Sequence, residues 1–409
     1  MRRLLFLSRW YPYPADNGSK LRIYSLLRGL SREYRLTLLS YASEASTPPE
    51  PGPLSAICDE VRTVPYRPFD PSSRRARLGF LSLTPRSVLD TYSAEMEALI
   101  RDTLRNGNTD LVVASQIDMA VYSRAFGDTP AVFEELEAGV LHDQFRHAPA
   151  LRQRMRHGLT WAKYRYYLRR LLHDYALCTV VSGEEQQLLA RAVPDFQRVA
   201  VIPNCIEVAS YRPFARDPQP NTLIFTGSLT YAPNYEAMRW FVAKVLPLVR
   251  AAILDVRLTI TGDPGNRALP LADGVTLTGF VPDVRPLVAG AWASLAPIHQ
   301  GGGTRLKILE AMALGTPVVA TSKGAEGLDV TDGEHLLLGD SAEAFAGAVI
   351  RLLQDQGLRA QLAKRAQVLV GERYDWAKSM PQLLALLDGV ARKRTVETVR
   401  TKLVGEGQA

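Results

Sequence analysis

The sequence has 409 residues, 46% of them apolar and 22% charged, with a formal net charge of +7. That length predicts two or three domains with cores of their own, and the composition excludes a disulfide-stapled miniprotein, a disordered chain and a fibrous repeat. Three scattered cysteines, Cys58, Cys178 and Cys205, fit a reducing compartment, and no apolar run reaches the roughly eighteen residues of a membrane-spanning helix. The expected location is cytoplasmic, with at most a peripheral contact at the inner membrane face.

In chain order, Met1-Arg2-Arg3-Leu4-Leu5-Phe6-Leu7 has the basic onset of a signal peptide, but Ser8-Arg9-Trp10 ends its apolar run too early. It predicts a first strand at 4–8. Further short apolar runs at 36–40, 110–114, 131–133 and 178–181 are each followed by a turn signal or a helical pattern. From residue 223 the scheme repeats, with runs at 223–226, 258–261, 275–278, 294–297, 317–321 and 336–338. Strands alternating with helices predict an α/β protein with doubly wound parallel sheets, one in each half. The Pro-rich segment 201–221 reads as the linker, which predicts domains at 1–200 and 201–371, with a C-terminal helix and polar, frayed tail at 372–409. The Pro-rich 47–53 and the basic 65–77 read as surface loops of the first half.

The most informative stretch is Gln300-Gly301-Gly302-Gly303-Thr304-Arg305-Leu306-Lys307-Ile308-Leu309-Glu310. Three glycines after a strand and before an amphipathic helix make an anion site, because the backbone can approach a phosphate and the helix N-terminus favours negative charge. Arg305 and Lys307 add positive charge, and Lys307 and Glu310, three apart, share one helix face. A carboxylate there suits ribose hydroxyls. The same pattern also fits an ordinary turn with a surface Lys307–Glu310 pair.

These residues resemble the retaining glycosyltransferases of family 4. The resemblance runs through Ile202-Pro203-Asn204, Phe225-Thr226-Gly227-Ser228-Leu229, Ile260-Thr261-Gly262-Asp263-Pro264, Gly279-Phe280-Val281-Pro282-Asp283-Val284 and Leu309 to Ala320. It implies the GT-B architecture, two Rossmann-like domains with parallel sheets facing a central cleft, the N-terminal one for the acceptor and the C-terminal one for the nucleotide sugar. The implied activity is transfer of a hexosyl group, with retention, from a nucleotide diphosphate sugar such as a UDP-sugar to a glycan, lipid-linked or small-molecule acceptor. The setting would be bacterial polysaccharide or glycoconjugate biosynthesis.

In that family the position of Glu310 holds the donor ribose, and Phe280 and Val281 pack on the base. Gly227, Ser228, Gly262, Gly302, Gly303 and Thr304 fall in the donor-binding motifs. Gly18 and Ser19, in the loop Tyr11 to Lys20, resemble a glycine-containing loop beside the donor phosphates, although a Pro-rich turn before a helix needs no ligand. The resemblance also places a chain crossing at Tyr374-Asp375-Trp376, which with 201–221 marks the expected hinge.

Two departures stand out. The first of the family's paired glutamates falls at Gly302, and the Arg and Lys that usually follow the strand at 223–226 are absent from Ser228-Leu229-Thr230-Tyr231-Ala232-Pro233-Asn234. Arg305 and Lys307 are the expected replacements at the leaving diphosphate, where growing charge makes cations catalytic. Glu135, with Glu134 and Glu137 after the strand 131–133, is a further catalytic candidate at the acceptor or the reacting sugar.

Gln116 and Asp118 stand at the same sheet edge, Asp118 with the spacing of a helix cap. No Asp-x-Asp occurs, and His142 and His147 lack the i, i+4 spacing of a helical zinc pair. The expectation is metal-independent transfer with no cofactor beyond the donor. His299, ahead of the glycines, has the pattern of a structural histidine.

Helix-length 151–172 carries seven Lys and Arg interleaved with Trp161, Tyr164, Tyr166 and Tyr167. It fits a long helix with solvated arginines and buried aromatics, and also a membrane surface; nucleic acid is the weaker fit. The rival readings are a nucleotide-sugar epimerase of the same architecture and a basic membrane or nucleic-acid binding protein.

Overall fold

A computed structural model describes residues 1–42, 52–214, 217–269, 272–301 and 305–406, with side chains to Arg392. The chain forms two compact units, Met1–Pro203 together with the chain from Met380 on, and Asn204–Ser379.

The first unit is built on seven strands: β1 (Arg2–Ser8), β2 (Tyr34–Ala42), β3 (Glu60–Pro65), β4 (Leu111–Ser115), β5 (Ala131–Glu134), β6 (Leu177–Val180) and β7 (Val199–Val201). Every pairing is parallel, in the order β3-β2-β1-β4-β5-β6-β7. The second unit has six: β8 (Thr222–Phe225), β9 (Arg257–Ile260), β10 (Val275–Leu277), β11 (Ala293–Ala296), β12 (Val318–Ala320) and β13 (Leu337–Leu338), again all parallel, in the order β10-β9-β8-β11-β12-β13.

Alternation along the strands explains the layering. Leu223, Phe225 and Leu258 point into one core, while Ile224, Ala296 and Val318 point into a second core on the opposite face. Both faces of the sheet are therefore covered, as the unbroken apolar runs require. In the first unit Leu5 and Leu7 enter one core and the alternate Leu4 and Phe6 are equally buried.

The expected α/β class and doubly wound parallel sheets are found, and each expected run coincides with a strand to within about two residues. Two strands were not anticipated. β3 and β7 are edge strands; β3 alternates with Glu60 and Arg62, and β7 has only three residues, so neither shows an apolar run. Within the segment 65–77, expected to be a loop, Pro65 ends β3 and Arg74–Leu78 begins a helix capped by Ser73. Part of the other expected loop, 47–51, lies outside the described residues.

Each sheet reverses its winding once, between β1 and β4 and between β8 and β11. Ligands of open parallel sheets lie beyond the carboxyl ends of the strands at such a switch point. The motifs singled out in the sequence stand there: Gly18 and Gln116 after β1 and β4, Gly227 and Arg305 after β8 and β11. The chain enters the second unit beside where it leaves it, with Ile206 bridging Asp375 and the Cys205 thiol 3.1 Å from the Ser379 hydroxyl. Tyr374-Asp375-Trp376 thus pairs with the entering segment. Among the described residues no helix is long and apolar enough to cross a membrane.

Candidate functional site

In the second unit the helix Leu306–Ala313 carries Lys307 and Glu310 at the carboxyl edge of the sheet. The Lys307 ammonium donates to Asn234 Oδ1 at 2.9 Å and stands 4.0 Å from the centroid of the Phe225 ring. The Asn234 amide in turn donates to the Ser228 carbonyl at 2.8 Å. Only this amide orientation satisfies both neighbours, since an ammonium offers donors alone and a carbonyl accepts. Asn234 thereby splints the loop after β8 to the lysine.

Burial is the main cause that lowers the Lys307 pKa to about 7; the Arg305 charge lowers it further and Glu310 opposes both.

Glu310 accepts a hydrogen bond from the Tyr211 hydroxyl at 3.0 Å. Burial pushes its carboxyl pKa up, against the lowering effects of the Tyr211 hydrogen bond, Lys307 and Arg285. Tyr211 belongs to the short helix Val208–Tyr211, which Arg285 braces by donating to the Ser210 carbonyl at 3.1 Å and stacking 4.5 Å from the Phe214 ring. Arg285 also pairs with Asp283 at 2.8 Å, so the loop bearing Phe280 and Val281 is tied to the same support. Phe280 itself is 76% exposed and Val281 half-buried. A large ring left in water at a sheet edge suits stacking on a planar ligand.

The glycines have separate reasons. A Cβ on Gly262, whose φ is +102°, would stand 2.2 Å from the Gly227 carbonyl oxygen. At Gly227 it would stand 2.9 Å from the Asn234 amide and 3.1 Å from the Lys307 ammonium. The two loops therefore approach as only glycine permits. Gly262→Ala is expected to lower stability by at least about 2 kcal/mol, combining overpacking with left-handed strain. Chemical denaturation measures this, and an unchanged midpoint would refute the close approach.

Arg305 leans on Glu326, donating to its carbonyl and its carboxylate, each at 3.4 Å. Ser228 shares a hydrogen bond with Thr230 at 2.7 Å. His299 packs edge-on against Trp240, 4.5 Å between ring centroids. Gly302, Gly303 and Thr304 lie outside the described residues.

In the first unit, Asn17 caps the helix Gly18–Leu30 by accepting from the Lys20 amide, with Gly18 and Ser19 in its first turn and Lys20 paired with Asp16 at 2.9 Å. The same helix sends Arg22 inward. Its guanidinium donates to Glu134 Oε1 at 2.8 and 2.6 Å and to the carbonyls of Ile202 and Pro203.

Glu135, the next residue, lies 3.7 Å from Arg22 and accepts from the Gln116 side-chain amide at 2.9 Å. Burial pushes its carboxyl up to about 8, with Arg22 opposing and Glu134 adding to the rise. Both Glu135 (φ +58°) and Gln116 (φ +65°) adopt the left-handed backbone that side chains disfavour. The two strained residues are joined by this hydrogen bond at the ends of β4 and β5. Asp118 is not the expected helix cap. Gln116 occupies the cap position of Ile117–Ala120, and Asp118 sits in the first turn, 3.1 Å from Arg9.

Sequence reasoning did not identify Tyr211, Asn234, Arg285 or Arg22 as site residues. Asn234 offered one signal: it ends the stretch where cations were missing.

Comparison with known proteins gives these contacts a family setting. The model for "Glycosyl transferases group 1" matches residues 220–355. An uncharacterized 44.6 kDa protein in the cps region of Klebsiella pneumoniae is 24% identical, over 92% of this chain and 98% of its own. D-inositol 3-phosphate glycosyltransferase of Acidothermus cellulolyticus is 32% identical, over 55% of each chain. Phosphatidyl-myo-inositol mannosyltransferase of Mycolicibacterium smegmatis is also 32% identical, over 46% of this chain and 52% of its own. The chain thus spans about half the length of these two relatives.

Among solved structures, sucrose-phosphate synthase of Thermosynechococcus elongatus superposes with a TM-score of 0.66 at 19% identity, covering 95% of this chain and 99% of that one. Anabaena HepE, in complex with UDP and glucose, superposes with a TM-score of 0.65 at 17% identity, covering 95% of this chain and all of that one. The match to the group 1 glycosyl transferases thus falls on the second unit, and the two-domain GT-B fold is shared along nearly the whole length of the chain.

Proposed function

We propose that the chain is a retaining, metal-independent glycosyltransferase of the family 4 type, which takes its donor, a nucleotide diphosphate sugar, on the second unit. The observation that carries this reading is the linked set Tyr211, Glu310, Lys307 and Asn234 at the switch point of that sheet. Glu310, held by a phenol through one oxygen, is a carboxylate suited to accept from a ribose diol. Lys307 provides a cation for the diphosphate, and the exposed Phe280 a stacking face for the base. The Anabaena structures hold UDP and UDP-glucose, which favours a uridine nucleotide.

In the step itself the bond from the anomeric carbon to the diphosphate oxygen breaks and one to an acceptor oxygen forms. The acceptor proton passes to the departing diphosphate. Lys307 and Arg305 stabilise the charge that grows on that leaving group, which lowers the barrier because the interaction is stronger in the transition state. In the first unit, Glu135 and Gln116 are assigned to acceptor hydroxyls, Glu135 being largely protonated below pH 8 and so able to donate as well as accept.

Calorimetric titration with a panel of nucleoside diphosphates and nucleotide sugars tests the donor site. One nucleotide is expected to bind with micromolar affinity and to lose at least tenfold in Glu310→Ala, about 1.4 kcal/mol. Binding that Glu310→Ala leaves intact removes the site. Product analysis then separates transfer, which consumes an acceptor, from epimerisation, which consumes none.

A further inference from the structure

We infer that the first unit carries a lipid-docking surface, made by the helix Leu151–Leu172 and the turn that follows the helix Arg74–Leu78, and that its partner is an anionic bilayer. The two elements touch: the Lys163 ammonium donates to the Phe80 carbonyl at 2.7 Å.

The long helix has two apolar faces. Trp161, Tyr164, Leu168, Leu171 and Leu172 are buried. Leu151, Met155 and Leu159 recur every four residues, leading to Lys163 on one stripe roughly opposite the buried one, and all three are exposed. Beside that stripe, Leu78, Phe80, Leu81 and Leu83 are exposed as well, Leu81 by 91%. Tyr166, on the same helix stripe as Leu159, is exposed too; single exposed leucines are ordinary, but eight apolar side chains on two adjoining elements are not.

The turn is firmly built. The amides of Gly79, Phe80 and Leu81 donate to the carbonyls of Arg75, Arg77 and Leu78. Arg86 lies 3.9 Å from the Phe80 ring centroid and donates to the carbonyls of Ala76 and Pro71. Backbone groups paired in this way can approach an apolar phase without stranding donors, which is the condition for entering the interfacial layer of a bilayer.

Charge selects the partner. Residues 151–172 contain seven Lys and Arg and no Asp or Glu, and 74–86 contain four Arg and no acid. Arg152, Arg154 and Arg156 are exposed beside the apolar stripe. Aliphatic tips flanked by cations match lipid headgroups over acyl chains. Nucleic acid would favour aromatic platforms for its bases, yet six of the eight exposed apolar side chains are Leu or Met, with Phe80 and Tyr166 the two aromatics.

The test is co-sedimentation of the full chain with vesicles of phosphatidylcholine alone and of phosphatidylcholine mixed with phosphatidylglycerol, at low and high salt. Mixed vesicles are expected to bind at least about tenfold more tightly than neutral ones, with the difference shrinking as salt rises. Leu81→Asp and Met155→Asp, at exposed positions that leave the cores intact, are each expected to weaken binding at least about fivefold with unchanged circular dichroism. Arg152→Glu with Arg156→Glu is expected to abolish the preference for anionic lipid.

Equal partition to neutral and anionic vesicles overturns the inference. So does binding unaffected by Leu81→Asp and Met155→Asp, which would reduce the surface to diffuse charge. Capture of a duplex oligonucleotide at a salt where vesicles are ignored would assign the cations to nucleic acid.

Discussion

Arg22→Ala is expected to destabilise the first unit by about 3–5 kcal/mol, the range for stripping a buried charge of its partner. Arg22 and Glu134 are 1% and 2% exposed, and the guanidinium closes a ring of contacts from the helix Gly18–Leu30 to the end of β5 and to the carbonyls of Ile202 and Pro203, where the chain leaves the unit. Alanine would leave the Glu134 carboxylate in a dry site and take the lowering influence of Arg22 from Glu135.

The sign of the pH dependence follows. A carboxyl whose folded pKa lies above its unfolded value contributes stability at low pH that is lost as pH rises through the folded pKa. Glu135, pushed up to about 8, already makes the wild type lose stability between about pH 5 and 8. Without Arg22 the pKa of Glu135 rises further, so the deficit of the variant is expected to be larger at pH 8 than at pH 5. Denaturant unfolding at the two pH values, with Glu134→Gln added to the variant, measures it. Recovery of part of the loss in the double variant is expected, because no charge is then stranded. A deficit under about 1 kcal/mol, or one that does not change with pH, would show that the ion pair is not what holds this edge.

That cluster also shows where sequence reading stops. β1, β4, β8 and β11 are central, buried on both faces, and so appear as apolar runs; of the edge strands, β10 and β13 keep short apolar runs, whereas β3 is broken by Glu60 and Arg62 and β7 has only three residues, and both merge with their surroundings. The same distinction holds for the sites. Lys307 and Glu310 are legible because strand, glycines and helix are consecutive, and a three-residue spacing places both on one face. Their partners are not: Asn234 meets Lys307 across 73 positions and Tyr211 meets Glu310 across 99. Arg22 meets Glu134 across 112. No local spacing encodes such pairs; they arise when the winding brings loops from different strands to one edge. Glu135 and Gln116 stood out only as strand-end residues, and their left-handed backbone has no signature in residue type, since glycine is what that conformation normally recruits. Asp118 had the composition of a cap, but a half-buried arginine, Arg9, claimed it.

Lys307→Ala is expected to lower turnover by about a hundredfold to a thousandfold, the scale for removing one preorganised charge from a leaving group. The pH profile distinguishes this from loss of structure. With its pKa near 7 in the free protein, Lys307 is charged below neutrality and neutral above. On the proposed reading a nucleotide sugar, whose phosphates do not titrate in this range, would restore the charged form, so donor binding at pH 8 is expected to take up a proton and to weaken as pH rises. Calorimetry in buffers of different ionisation enthalpy reads that uptake.

The neighbours of Lys307 set the direction of two further shifts. Arg305→Ala removes a cation that lowers the pKa, and Asn234→Asp places an anion where an amide oxygen now accepts the ammonium proton. Both variants are therefore expected to move the alkaline limb of donor binding to higher pH, although Arg305→Ala also removes a charge from the phosphate side. Asn234→Ala, which frees the lysine from its splint to the Ser228 carbonyl, is expected to reduce turnover more than donor affinity, because orientation matters most at the transition state. If proton uptake is absent in the wild type and all three variants share one pH profile, Lys307 is not the cation that meets the diphosphate, and the assignment passes to Arg305.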